Sequence, residues 1–234
     1  MTRINLPPQY QRMARAFQEL EAAAFIARLV QGRPRILNVG PSWGRDYYSL
    51  ADAGHQVYNL DIAIQQHLPR LAIANIAQVA PFPDRTFDAV LLPEVLEHIY
   101  NDFDALHEAR RVLKDDGKLV VTVPFYNDLP DYHVRIHSRK TIQRLLQSSG
   151  FEPIEYIERG GLVSFPRVVH GLRKAFSVIG LGESFTRGAI RFDAWLGRRR
   201  FLPRRWLTGY GCAIAAVKSE AVDFERLNAT AFRH

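Results

Sequence analysis

Residues 35–61, RILNVGPSWGRDYYSLADAGHQVYNLD, constrain the fold more than any other stretch of the chain. Arg35 to Val39 is a short apolar run with β-branched residues, as in a buried strand. It stops at Gly40, and Gly44 follows four residues later. Arg45 to Ala53 carries helical spacing, Gly54 ends it, and Gln56 to Leu60 is a second strand closing on Asp61. Strand, glycine turn, helix, strand and acid, in that order, make the first half of a nucleotide-binding βαβ unit. The glycines let backbone N–H groups approach a ligand with no Cβ in the way. The carboxylate stands where a ribose diol is gripped in such units.

The 234 residues fit one domain with a full core. The strand–helix alternation continues beyond Asp61, which predicts an α/β fold. A weaker third strand is expected near 71–75 and a buried fourth over Phe87 to Leu92, followed by a helix ending near Leu113. Asp115-Asp116-Gly117 is expected as a turn into strand five, Lys118 to Val123. A loop, Pro124 to His137, precedes a helix from Ser138 to Ser149; strand six is Glu152 to Glu158 and the last strand Cys212 to Val217.

Charge is concentrated in one place. Residues 159–208 hold eleven Arg and Lys against Glu183 and Asp193, so the whole excess of the +7 chain sits there. Within it Phe165, Val168, Val169, Leu172, Phe176 and Ile179 recur at helical spacing, and Trp195, Phe201 and Trp206 stand among arginines. Such a mixture suits a membrane interface or an anionic acceptor, such as a phosphate-bearing sugar or lipid, or a lid packed on the sheet. No nucleic-acid-binding module is recognisable. One cysteine, Cys212, excludes a disulfide framework and a cysteine metal site. The opening MTRINLPPQY has no apolar leader core, and AAAFIARLV is too short for a membrane span, so a cytoplasmic protein is expected, with membrane association only through 159–208.

Three more motifs complete the pattern. APFPDRTFDAV leads into strand four, EVLEHI follows it, and EARRVLKDDGKLVVTVP runs through strand five towards SGFEPIEY. In this order, from LNVGPSWG onwards, the chain resembles the class I S-adenosylmethionine-dependent methyltransferases, most closely the branch of ubiquinone-type and small-molecule enzymes. The resemblance covers residues 33–158, and the strand at 212–217 would complete the sheet. It implies a Rossmann-like, seven-stranded, mostly parallel sheet with helices on both faces and a helical insertion before the last strand. The expected single domain, 1–234, divides into an N-terminal helix (1–32), a cofactor core (33–158), a basic lid (159–208), the last strand (209–220) and a tail (221–234).

The resemblance also implies site roles. Gly40, Ser42 and Gly44 carry the methionine half of S-adenosyl-L-methionine, with Asn38 where the family usually has an acid. Asp61 binds the ribose hydroxyls with Ile62 beside the adenine, Asn75 and Ile76 touch the adenine, and Pro93 and Glu94 line the methionine end. Besides Asn38, the departures from the family pattern are Ser42 for a small Gly, the bulky Trp43 and Asn75 for a common Asp.

Methyl transfer needs a base only when the acceptor is a hydroxyl or a carbon acid. His98, His133 and His137 are the candidates, since histidine titrates near neutrality. Tyr126 and Tyr132, in the loop after strand five, are expected in the acceptor pocket. His133 and His137 also stand four apart, a helical metal spacing, but no third ligand stands out and no metal is expected. The function expected is methylation of a small-molecule or lipid- or sugar-linked acceptor, at oxygen or carbon rather than nitrogen. The alternatives are a non-catalytic cofactor- or nucleoside-binding protein, a membrane-docked scaffold built on the basic segment, and an α/β-hydrolase, because Gly40–Gly44 also spells G-x-S-x-G around Ser42.

Overall fold

A computed structural model describes residues 21–42, 44–65, 67–125, 133–159, 172, 175–198 and 211–224. Seven strands form one sheet in the order β3-β2-β1-β4-β5-β7-β6. They are β1 (Arg35–Val39), β2 (Gln56–Asp61), β3 (Leu71–Ile73), β4 (Phe87–Pro93), β5 (Leu113–Pro124), β6 (Phe151–Arg159) and β7 (Gly211–Lys218). The first five pair in parallel, and β7 runs antiparallel between β5 and β6. Helices among the described residues include α1 (Glu21–Leu29), α2 (Arg45–Asp52), α3 (Asp102–Val112), α4 (Arg139–Ser148) and α5 (Gly182–Arg198), the last inside the basic segment.

The sheet is buried on both faces, which is why β1 and β4 read as continuous apolar runs rather than alternating ones. On one face Leu37, Val90, Leu92 and Val121 pack with Leu106, Ala109 and Val112 of α3 and with Ile142 and Leu146 of α4. On the other, Ile36, Val57, Leu91 and Ala213 meet Phe25 and Leu29 of α1 and Tyr47 and Leu50 of α2. Each helix contributes residues three or four apart, the single apolar stripe that a covering helix needs. α4 starts on a capping box: the Ser138 hydroxyl accepts the Thr141 N–H at 3.2 Å, and Thr141 Oγ1 accepts the Ser138 N–H at 2.7 Å.

The APFPDRTFDAV motif is largely architectural. Arg111, near the end of α3, donates to Glu108, to Asp84 and to the Ala80 carbonyl, while Glu108 accepts the Ala80 N–H at 2.6 Å. The N–H groups of Arg85 and Thr86 donate to the carbonyls of Arg111 and Val112. Burial alone would raise the Glu108 pKa, but the bonds from Arg111 and Ala80 hold it below the usual carboxylate range.

The elements fall where the sequence puts them, with one structural difference. β5 begins at Leu113 instead of Lys118: Leu113 pairs with Phe87, and pairing resumes at Lys118 with Ala89. Residues 114–117 therefore bulge out of a strand that starts earlier, so the expected Asp115-Asp116-Gly117 turn lies inside it. A 3₁₀ turn, Leu96–His98, stands between β4 and α3, the helix expected to end near Leu113. Most of the N-terminal helix, the tail beyond 224, and Phe165, Val168 and Val169 of the basic segment lie outside the described residues, as does Trp43.

Candidate active site

The strand order reverses between β1 and β4, and in open parallel sheets ligands bind at the carboxyl ends of the strands beside such a point. The residues singled out from the sequence gather there. Gly40, Ser42 and Gly44 follow β1; Asp61 and Ile62 end β2; Asn75 and Ile76 follow β3; Pro93 and Glu94 end β4.

The β1 turn is built from left-handed backbone. Gly40, Ser42 and Gly44 have φ of 63°, 49° and 81°. A Cβ on Gly40 would lie 2.8 Å from the Val95 side chain, and one on Gly44 2.6 Å from Tyr48, so both places require glycine. Gly44 is the N-cap of α2 and supplies no side-chain cap, so the helix start presents its backbone dipole at the turn. The Ser42 hydroxyl donates to Gln65 Oε1 at 3.1 Å, a partner that cannot serve as the base of a hydrolase elbow.

Asp61 is half-buried, and its Oδ1 accepts the Ala63 N–H at 3.4 Å, which folds the chain back beneath it. Ile62 beside it is 74% exposed, and Ile73, its neighbour across the sheet from Asp61, is exposed as well. Two exposed isoleucines around a carboxylate make an apolar shelf next to a hydrogen-bond acceptor, the pairing that a nucleoside needs. Nothing in the sequence around Ile73 marks it; its pairing opposite Asp61 reveals it. Ile76 is buried, and Asn75 Oδ1 accepts the Ala77 N–H at 2.9 Å, leaving the amide nitrogen for a ligand. Asn38 lies buried inside the sheet, where its amide donates to Asn59 Oδ1 at 3.4 Å.

At the end of β4, Glu94 is held with φ 55°, an uncommon conformation outside glycine. Its N–H donates to the carbonyl and hydroxyl oxygens of Thr122. Thr122, a polar residue in the apolar run LVVTVP, is thus a site residue that this interruption could have signalled.

The three histidines separate into two groups. The His98 and His133 rings meet edge to face, 4.7 Å between centroids, and His98 Nε2 is 3.9 Å from Glu97 Oε1. Burial, then the adjoining His98, lowers the His133 pKa, with Glu94 pulling the other way. His137 is 4% exposed and lies beside Asp102, 3.8 Å away. Burial, helped by the nearby Arg135, pushes the His137 pKa down to about 4. Tyr126 and Tyr132 lie outside the described residues.

Residues 37–121 match the model of the methyltransferase domain family. An uncharacterized protein of Methanocaldococcus jannaschii is 37% identical over 112 residues, 42% of this chain and 48% of that one. A demethylmenaquinone methyltransferase of Tropheryma whipplei is 28% identical over 139 residues, 52% of this chain and 55% of that one. The matches thus span about half the length of these curated relatives. Among solved structures, a putative sarcosine dimethylglycine methyltransferase from Galdieria sulphuraria superposes with a TM-score of 0.60 at 15% identity, covering 94% of this chain and 92% of that one. Over residues 37–121 the chain is thus similar to methyltransferase domains, and it shares its fold with the solved structure.

Proposed function

We propose that the chain transfers a methyl group from S-adenosyl-L-methionine to a small-molecule acceptor. The observation that carries this reading is the grouping of Asp61, the left-handed Gly40–Gly44 turn and Glu94 at the ends of β2, β1 and β4. Asp61 binds the two ribose hydroxyls, and Ile62 and Ile73 flank the adenine with Asn75. The turn and the uncapped start of α2 receive the methionine carboxylate, and Glu94 stands at the methionine end.

The sulfonium is already activated, so the protein's work is alignment, which supplies up to about 7–11 kcal/mol of a bimolecular barrier. The acceptor atom is oxygen or carbon, the reading that the ubiquinone-type resemblance supports. His98 and His133 adjoin Glu94's end of the crevice and are the groups that would face the acceptor. His137 serves the packing of the loop instead. The basic segment favours an anionic or lipid-linked acceptor: on α5 Phe192 and Trp195 are both exposed and stack at 5.6 Å, next to Arg191. A membrane contact would use the same face; among the described residues no helix is long and apolar enough to cross a bilayer.

The test is turnover. The full chain is incubated with the labelled cofactor and a panel of phenols, carboxylated quinone precursors, sugar phosphates and phospholipid headgroups. Label transferred to one acceptor class, with S-adenosylhomocysteine formed in equal amount, is the expected result. Tight cofactor binding with no transfer to any class would favour a non-catalytic binding protein.

A further inference from the structure

We propose that Glu97, His98 and His133 form a divalent transition-metal site at the carboxyl end of β4, and that the ion holds an oxygen-bearing acceptor beside the cofactor's methyl group. The second half rests on the methyl-transfer reading above; the metal site itself does not.

Spacing in the sequence pairs His133 with His137, but the structure parts them. His137 is buried against Asp102, while His133 turns to His98. The third donor then comes from another element: one ligand atom each of Glu97, His98 and His133 lies within 4.8 Å of the other two. An ion about 2.0–2.2 Å from each donor needs them roughly 3–3.5 Å apart. Glu97 Oε1 and His98 Nε2 are 3.9 Å apart and no donor pair exceeds 4.8 Å, so modest side-chain rotations close the site.

The two segments that carry the donors are tied by backbone. His98 N–H donates to the Val95 carbonyl at 3.0 Å within the 3₁₀ turn, and Val134 N–H donates to the Glu97 carbonyl at 2.8 Å. One main-chain bond between segments far apart in sequence, with the local turn bond, therefore positions the donor set. The site is closed below and open above. The Glu97 side chain is 2% exposed and that of His98 39%. Three protein donors with one open side are the arrangement of an ion that also binds a ligand. Two imidazoles and a carboxylate suit Zn²⁺, Mn²⁺ or Fe²⁺ over Mg²⁺ or Ca²⁺, which prefer all-oxygen shells.

The position gives the ion a chemical role. Glu97 lies three residues beyond Glu94, at the methionine end of the crevice. An ion there lowers the pKa of a bound hydroxyl, which releases its proton to solvent. The oxygen lone pair then attacks the methyl carbon, and the carbon–sulfur pair returns to sulfur as the thioether. Metal coordination thus replaces a dedicated base.

The test uses the full chain, stripped with a chelator and dialysed. Zn²⁺ is titrated in competition with a chromophoric chelator, and Mn²⁺ is followed by electron paramagnetic resonance. One equivalent is expected for the wild type, with at least tenfold weaker binding in Glu97→Gln, His98→Ala and His133→Ala. His107→Ala, a change at an exposed histidine of α3, should bind as the wild type. His98 is surface-exposed, so its variant should fold, and melting curves check all four. Equal affinity in wild type and His98→Ala, or no binding at all, overturns the site. Catechol, a two-oxygen ligand, probes whether the ion holds an acceptor. At least tenfold tighter catechol binding to the loaded protein is expected, and equal binding to both forms overturns that role. S-adenosylhomocysteine calorimetry on the same samples keeps the readings apart, since a loss of cofactor binding in the wild type would refute methyl transfer while leaving the metal titration intact.

Discussion

Glu94 and Thr122 bond in both directions across the β4–β5 edge of the crevice. The Glu94 N–H donates to the Thr122 carbonyl at 3.0 Å and to its Oγ1 at 3.1 Å, and that hydroxyl donates to Glu94 Oε1 at 2.7 Å. A single threonine thereby fixes both the left-handed backbone and the carboxylate of Glu94 at the end of β4. Thr122→Val keeps the shape and the carbonyl contact but removes the hydroxyl. It should lower stability by about 1–2 kcal/mol and weaken S-adenosylhomocysteine binding several-fold. Urea unfolding and calorimetry measure the two effects.

The sequence discloses the cofactor crevice more fully than the acceptor side, and the reason is range. Gly40, Gly44 and Asp61 belong to one local βαβ unit, where turn chemistry and strand ends can be read from neighbours. Thr122 meets Glu94 only because β5 pairs with β4, and Ile73 flanks Asp61 only because β3 pairs with β2. His133 reaches His98 through the Val134–Glu97 backbone bond, a contact that the spacing of His133 and His137 does not signal. The bulge at 114–117 hides for a similar reason: Asp-Asp-Gly signals a turn but not that pairing starts before it.

Gly40 tests the turn. Gly40→Ala places a methyl 2.8 Å from Val95 Cγ2 at a φ of 63°. The left-handed penalty is about 1–2 kcal/mol, and the contact adds to it. The variant should bind cofactor at least tenfold more weakly. Adding Val95→Ala should recover the steric part and leave the backbone part, which denaturant unfolding of the single and double variants resolves.

Arg111 tests the architecture under the site. Its guanidinium joins Glu108, Asp84 and the Ala80 carbonyl. Arg111→Met leaves Glu108 largely buried without its ion pair. The expected loss is about 2 kcal/mol, below the range for a fully buried pair because Asp84 is exposed. Thermal unfolding should show it, while Asp84→Asn should change stability far less.

His137 sets an acid limit on stability. Folded, it resists protonation until about pH 4; unfolded, an imidazole titrates near pH 6.5. The unfolded chain therefore gains a proton first as pH falls, so stability is full above about pH 6.5 and declines towards pH 4. The full window corresponds to about 3 kcal/mol. Asp102 offsets part of it, since its pKa is raised by burial despite Arg135. The melting temperature should drop between pH 7 and pH 5 in the wild type and change less in His137→Gln.

The most direct test is calorimetric titration of S-adenosylhomocysteine into the wild type and Asp61→Ala, with melting curves for both. Among the described residues Asp61 Oδ1 takes only a 3.4 Å bond from the Ala63 N–H, so the fold should tolerate its removal. The account predicts binding to the wild type, at least tenfold weaker binding to Asp61→Ala, and closely similar melting temperatures. Equal affinity in the two proteins would contradict it.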